Sequence, residues 1–184
     1  MSFYVQVYYH ELGTPTEQDR YEIGKDFPKI AEVVLESERS GFLLLSMQKG
    51  DGGEFQHYVR PTRAPDGGAP SWKQLTAYED RAVQATFGPG CVYLVSRKDS
   101  PRGKVLRMAL GTDAPPEVFI PQHDKWSIHT DFFETAGVTP AAGAVYVEYM
   151  AGGPSDLRAF DQHGKELPPF FGNPTMPSLA ANEV

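Results

Sequence analysis

The sequence predicts an all-β fold: a partial β-propeller of about three full four-stranded antiparallel blades, preceded by a partial N-terminal blade. Three observations carry this. A strand–turn–strand phrase recurs as GFLLLSMQKGDGGEFQHYVRP from Gly41 to Pro61, GCVYLVSRKDSPRGKVLRMAL from Gly90 to Leu110 and GAVYVEYMAGGPSDLRAFD from Gly143 to Asp161. Its opening glycines stand 49 and 53 residues apart, and hairpins repeating at roughly 50 residues are a propeller signature. Each phrase also turns on residues with a mechanism for turning: Gly50-Asp51-Gly52-Gly53, Asp99-Ser100-Pro101-Arg102-Gly103 and Gly152-Gly153-Pro154. Proline presets one backbone angle and glycine accepts positive φ.

Taken in order, residues 3–10 (FYVQVYYH) read as a β-rich strand, and Glu11 to Asp19 as a polar turn before a short partner at Arg20 to Ile23. These are the last two strands of a blade spanning residues 1–24. The next blade covers residues 29–78. Ile30 to Leu35 supplies its first strand, Glu36 to Ser40 a polar turn, the Gly41 phrase its central hairpin, and Trp72 to Thr76 its fourth strand after a loop rich in Pro, Gly and Ala. Ile30 to Glu38 could be written as a short helix, but its β-branched residues and the following glycine favour a strand.

A further blade at residues 81–121 uses Ala82 to Phe87, the Gly90 hairpin and Val118 to Ile120. CVYLVS, residues 91–96, is apolar on both alternating faces, as a strand sandwiched between layers must be. The last blade, residues 126–171, uses Trp126 to Glu134, Val145 to Met150, Leu157 to Asp161 and Glu166 to Phe171. Residues 172–184 carry prolines without periodicity and read as a loose tail.

Composition narrows the function classes. The chain carries 24 acidic against 17 basic residues, a formal charge of −7, so it offers no basic stripe to a nucleic-acid backbone. Apolar runs are only a few residues long, too short for a membrane-spanning helix. Cys91 is the lone cysteine; it excludes an internal disulfide, leaves the compartment open and, within an apolar strand, reads as a small core residue.

No residue set reads as an active site. Ser155 has Gly153 before it but Leu157 where the second glycine of a nucleophile elbow belongs, and no phosphate loop, zincin helix or paired-cysteine zinc pattern occurs. His123 and Asp124, with His129 and Asp131 nearby, form the one cluster of ligand-type residues, and they read as solvated loop groups. Glu36/Glu38 and Glu79/Asp80 fall in predicted turns, where carboxylates stay hydrated. Asn173-Pro174-Thr175 fails as a glycosylation acceptor because proline holds its middle position. Tyr8, Tyr9, Phe42, Tyr58, Tyr93, Tyr146, Tyr149 and Phe160 lie at matching places in the repeats and read mostly as blade-to-blade packing. Catalytic, cofactor and metal residues are therefore assigned to none.

Three pieces together resemble the β-propeller domain of the prolyl oligopeptidase family of serine peptidases. VYYHELGT, Val7 to Thr14, is similar to the family's Tyr-Tyr-His-x-Leu-Gly-Thr strand and turn, with Glu17 and Asp19 following. SRKDSPRGKVLRMAL, Ser96 to Leu110, resembles its Asp-Ala-Pro-Arg hairpin, with Ser100 in place of alanine. LRAFDQHGKEL, Leu157 to Leu167, resembles its Leu-Arg-x-Phe-Asp-x-x-Gly-Lys strand and turn.

The resemblance implies roughly half of a propeller and none of the α/β-hydrolase domain that holds the family's Ser-Asp-His triad. It implies a non-catalytic segment of a parent in which the propeller gates access of short proline-containing peptides to that domain. The expected partners are the hydrolase domain, the parent's peptide substrate and a second copy of the chain meeting exposed blade faces, with no cofactor, nucleic acid or membrane. The rival reading is a stand-alone propeller-type module that holds a protein or peptide partner.

Overall fold

A computed structural model describes residues 4–38, 41–64, 67–131 and 137–169. The chain forms two compact units, Met1–Ala77 and Tyr78–Val184. Among the described residues they hold a two-stranded and three four-stranded antiparallel sheets, the architecture of a partial β-propeller. Among the described residues no helix is long and apolar enough to cross a membrane.

In the first unit, Val7–Tyr9 (β1) pairs with Arg20–Ile23 (β2). The expected strand over residues 3–10 is thus shorter than its aromatic pattern suggested. Tyr4 turns away with φ +61, and its N–H donates to the Lys29 carbonyl at 2.9 Å instead of joining the ladder. The neighbouring sheet runs in chain order: Ala31–Glu38 (β3), Phe42–Lys49 (β4), Phe55–Pro61 (β5) and Lys73–Thr76 (β6). The recurrent Gly41 phrase is its central hairpin, with Leu44, Phe55 and Val59 buried on one face and Leu45 and Met47 buried on the other.

Glu36 and Glu38 lie within β3, not in a turn. Eight consecutive partners from Ala31↔Lys49 to Glu38↔Phe42 carry the strand past the polar residues. Ladder pairing to a long, apolar β4 outweighs the local preference of Glu and Ser for turns.

In the second unit the Gly90 phrase is again the central hairpin. Ala82–Gly88 (β7), Cys91–Ser96 (β8), Lys104–Ala109 (β9) and Glu117–Ile120 (β10) lie in chain order. Every residue of β8 is buried, as its unbroken apolar run requires. Its turn to β9 closes with Gly103 at φ +88, whose N–H donates to the Ser100 carbonyl at 2.8 Å.

The last sheet is less regular than its sequence implied. Ser127–Ile128 (β11) and Val138–Pro140 (β12) both pair with Val145–Met150 (β13), whose other edge pairs with Ser155–Phe160 (β14). The first strand is therefore split, and Glu134, its expected end, lies outside the described residues. Of the strand expected over Glu166–Phe171, a single bridge, Phe160↔Glu166, is formed within the described residues. The tail, 172–184, lies outside them.

One apolar cluster joins the two sheets of this unit. Tyr93, Val95, Val105, Phe119, Ile128, Val138, Val145, Val147, Tyr149 and Phe160 are all buried in it, with Trp126 packed alongside. Each such side chain contributes roughly 1.5–3 kcal/mol relative to exposure.

Candidate functional site

The largest concentration of unusual chemistry lies in the first unit, on the third strand of its four-stranded sheet. Along β5, Phe55, His57 and Val59 alternate inward and are buried, which leaves Tyr58 and Arg60 on the opposite face. Arginine is ordinarily solvated, yet Arg60 is only 5% exposed, on a face that also carries the buried Leu45 and Met47 of β4.

Two neighbours cover it. Pairing of Tyr58 with Gln74 and of Val59 with Lys73 sets the register that brings Trp72 opposite Arg60, and the guanidinium carbon lies 5.6 Å from the Trp72 ring centroid. From the other sheet, Glu22 of β2 places a carboxylate oxygen 3.3 Å from Arg60 Nε. The pair is aligned poorly enough that no hydrogen bond forms. Among the described residues, Arg60 Nε and Trp72 Nε1 are buried nitrogens without a hydrogen bond, although Arg60 Nε keeps the Glu22 carboxylate as its ion-pair partner.

Other parts of these two side chains line a cavity of about 610 Å³ together with Arg20, Tyr21, Glu22, Tyr58 and Pro70, while the two nitrogens themselves are shielded from it. Its rings are held in place. Tyr21 carries Lys25 over its face at 4.2 Å, and its hydroxyl accepts the Lys25 N–H at 2.9 Å. The Tyr58 hydroxyl donates to Gln56 Oε1 at 2.9 Å. Tyr58 also packs on Phe27 with centroids 5.6 Å apart. A buried unsatisfied donor costs about 1–3 kcal/mol, a cost that the Glu22 carboxylate offsets in part at Arg60.

The second unit reuses the arginine. Arg107 on β9 lies over Phe119 at 5.1 Å, donates from Nε to Glu117 Oε1 at 2.7 Å and from Nη1 to the Gln162 carbonyl at 2.8 Å. Arg158 on β14 lies over Trp126 at 4.8 Å and donates to Asp156 and Glu166. All donors drawn on by these contacts have acceptors, so these arginines brace the sheets. Burial pushes the Tyr93 hydroxyl up to about 12, with Cys91 adding to the shift and Arg107 opposing it. Burial likewise pushes Tyr149 up to about 12, with Arg158 opposing.

The two histidines of the cluster have different partners, and among the described residues no group of three or more His, Cys, Asp or Glu side chains is placed to hold a metal ion. His123 stacks on Trp126 at 4.7 Å, and its Nδ1 accepts the backbone N–H groups of Lys125 and Trp126, both at 3.1 Å. His129 instead faces the Glu148 carboxylate at 3.6 Å. Asp80, expected to be hydrated in its turn, takes the Lys98 ammonium at 3.1 Å. Tyr93, Tyr149 and Phe160 are core, whereas Tyr8 and Tyr9 are 52% and 45% exposed on their hairpin.

Sequence reading missed two arrangements. Ser46 Oγ and His57 Nδ1 lie 3.0 Å apart as cross-strand partners. His57 is fully buried and Ser46 8% exposed, so this hydroxyl–imidazole pair is sealed from substrate and ties β4 to β5. The Arg60 cavity was missed because its parts come from two sheets. The available signal was an arginine interrupting the apolar YVRP run with a tryptophan across the following loop.

A family model for the prolyl oligopeptidase N-terminal β-propeller domain matches residues 1–182. The chain belongs to that family. Solved structures agree in fold. One, described in a structural and mechanistic analysis of two prolyl endopeptidases, superposes with a TM-score of 0.71 at 18% identity, covering 91% of this chain and 23% of its own. Apo prolyl oligopeptidase B from Galerina marginata gives 0.70 at 20% identity, covering 96% of this chain and 25% of its own. Oligopeptidase B from Trypanosoma brucei, with covalently bound antipain, gives 0.62 at 16% identity, covering 85% and 21%. This member of the propeller family thus spans about a quarter of the length of those enzymes. No match was found among curated proteins.

Proposed function

We propose that this chain is the non-catalytic propeller segment of a prolyl oligopeptidase-like serine peptidase, and that in the parent it gates access of short proline-containing peptides to an α/β-hydrolase active site. The observation that carries this reading is the family match over residues 1–182, combined with coverage of only 23% of a solved prolyl endopeptidase. The hydrolase domain of the parent is then the principal partner. Gating by size requires blades that do not yield, and densely packed apolar strands such as β8 supply that stiffness.

The test uses the parent gene product and the 184-residue chain side by side. Both are assayed on a short Gly-Pro peptide and on the same sequence held inside a folded protein. The parent is expected to cleave the short peptide and spare the folded one, while the 184-residue chain cleaves neither. Hydrolysis by the chain alone, traced to none of the contaminants, would overturn the reading, as would a parent gene without a serine hydrolase domain. In that case the stand-alone interaction module takes its place.

A further inference from the structure

We infer that the free edge of β3 takes up an extended peptide segment of alternating basic and apolar residues as a further antiparallel strand, with one basic residue opposite Glu32 and another opposite Glu36. The inference concerns an interaction surface of the chain itself and goes beyond the gating reading.

Three observations carry it. The first is the direction of the backbone groups. Gly50 N–H donates to the Ile30 carbonyl at 3.1 Å, and across β4 Lys49 N–H donates to the Glu54 carbonyl at 2.9 Å. With Ala31 opposite Lys49, this alternation turns the even-numbered residues of β3 toward β4 and sends the N–H and C=O groups of Val33, Leu35 and Ser37 outward. Among the described residues no strand pairs with that edge. Leu35 is 47% exposed on it, and Ser37 is exposed as well.

The second is that β3 lacks the usual guards of an edge. All eight of its residues pair with β4 without a bulge, and none is proline or lysine. Such an edge is a template for strand addition.

The third selects the occupant. Glu32 and Glu36 share one face of β3, and their partners on β4, Gln48 and Leu44, offer them no cation. Neither carboxylate has an ion pair or hydrogen bond among the described residues. Burial raises the Glu36 carboxyl with nothing to oppose it. In an added strand both glutamates fall at non-hydrogen-bonded positions, where facing side chains approach most closely. A lysine opposite each gains a cross-strand ion pair, while Val33 and Leu35 on the other face favour apolar partners. A second copy of β3 fits worse, because an antiparallel pair spanning the strand sets Glu32 of one copy against Glu36 of the other.

The experiment titrates the 184-residue chain into a fluorescein-labelled, end-capped peptide Thr-Lys-Val-Thr-Val-Lys-Thr. Two controls run in parallel, one with glutamate in place of both lysines and one with both valines N-methylated. Anisotropy reads affinity, and hydrogen exchange read by mass spectrometry locates the site. The lysine peptide is expected to bind saturably and to slow exchange in residues 31–38. The N-methylated peptide is expected to lose binding, since its valine N–H groups are the donors to the Val33 and Leu35 carbonyls. Glu36→Gln is expected to weaken binding about two- to fivefold. Because the same variant should melt higher than the parent at neutral pH, that loss is separable from unfolding. Equal binding of either control, protection confined to another segment, or no saturation up to about 1 mM would overturn the inference. Protection of residues 31–38 that grows with the concentration of the chain alone would assign the edge to a second copy and overturn it too.

Discussion

Arg60 Nε and Glu22 Oε2 lie 3.3 Å apart with side chains only 7% and 11% exposed, joining the two-stranded sheet to its four-stranded neighbour through a buried ion pair. Removing one partner strands a charge in a poorly solvated place. Glu22→Gln is expected to cost about 2–4 kcal/mol of unfolding free energy, at or below the usual range for a broken buried pair because the adjoining cavity admits water. Urea denaturation checks it. Replacing both partners, Arg60→Met with Glu22→Leu, should recover most of the loss.

Glu36 makes stability fall with rising pH. Burial raises its carboxyl above the ordinary 4.5, so the folded chain holds this proton more tightly than the unfolded chain does. Its contribution is complete below 4.5 and is lost as pH rises through the higher native value. Glu36→Gln should therefore melt higher than the parent at neutral pH, and the gain should vanish in acid. A gain independent of pH would contradict this account.

Tyr93 and Tyr149 govern the alkaline limb. Both native hydroxyls sit near 12 against an ordinary 10.0, so stability is intact below 10 and drains as pH rises from 10 to 12. In a spectrophotometric titration, two of the nine tyrosines should ionise late or only on unfolding. Tyr149→Phe should make the decline with pH shallower.

Gly164 cannot accept a side chain. It has φ +78, and a Cβ there would run into the Phe119 carbonyl, where the turn after β14 meets β10. Gly164→Ala is expected to cost about 2–4 kcal/mol, combining a left-handed backbone penalty with overpacking. A thermal melt within a degree or so of the parent would show that the turn relocates.

The β1–β2 hairpin predicts association between copies. Leu12 is 94% exposed, Tyr8 52% and Tyr9 45%, a concentration of apolar surface that favours burial against another chain. Sedimentation is expected to show concentration-dependent dimers that Leu12→Ser with Tyr9→Ser weakens. A monodisperse monomer at high concentration would remove this expectation.

Much of this architecture is written locally. The three central hairpins start close to their glycine-led phrases and turn on the residues chosen for turning, such as Gly103 at φ +88. Elsewhere local reading fell short where a partner strand decided the outcome. Pairing with β4 draws Glu36 and Glu38 into β3. At Tyr4 the positive φ ends an aromatic run that looks continuous in sequence.

The sequence alone thus determined the all-β class and the recurrent hairpin of each four-stranded sheet, because strand period and turn chemistry act over a few neighbouring residues, while its motifs carried the resemblance to the family. Tertiary structure decided where the unusual chemistry lies. Arg60 is of a residue type ordinarily left in solvent, yet it is buried because register brings Trp72 across from it and Glu22 arrives from another sheet. Burial and the pairing of distant charges are properties of surfaces meeting. No window of sequence contains both surfaces.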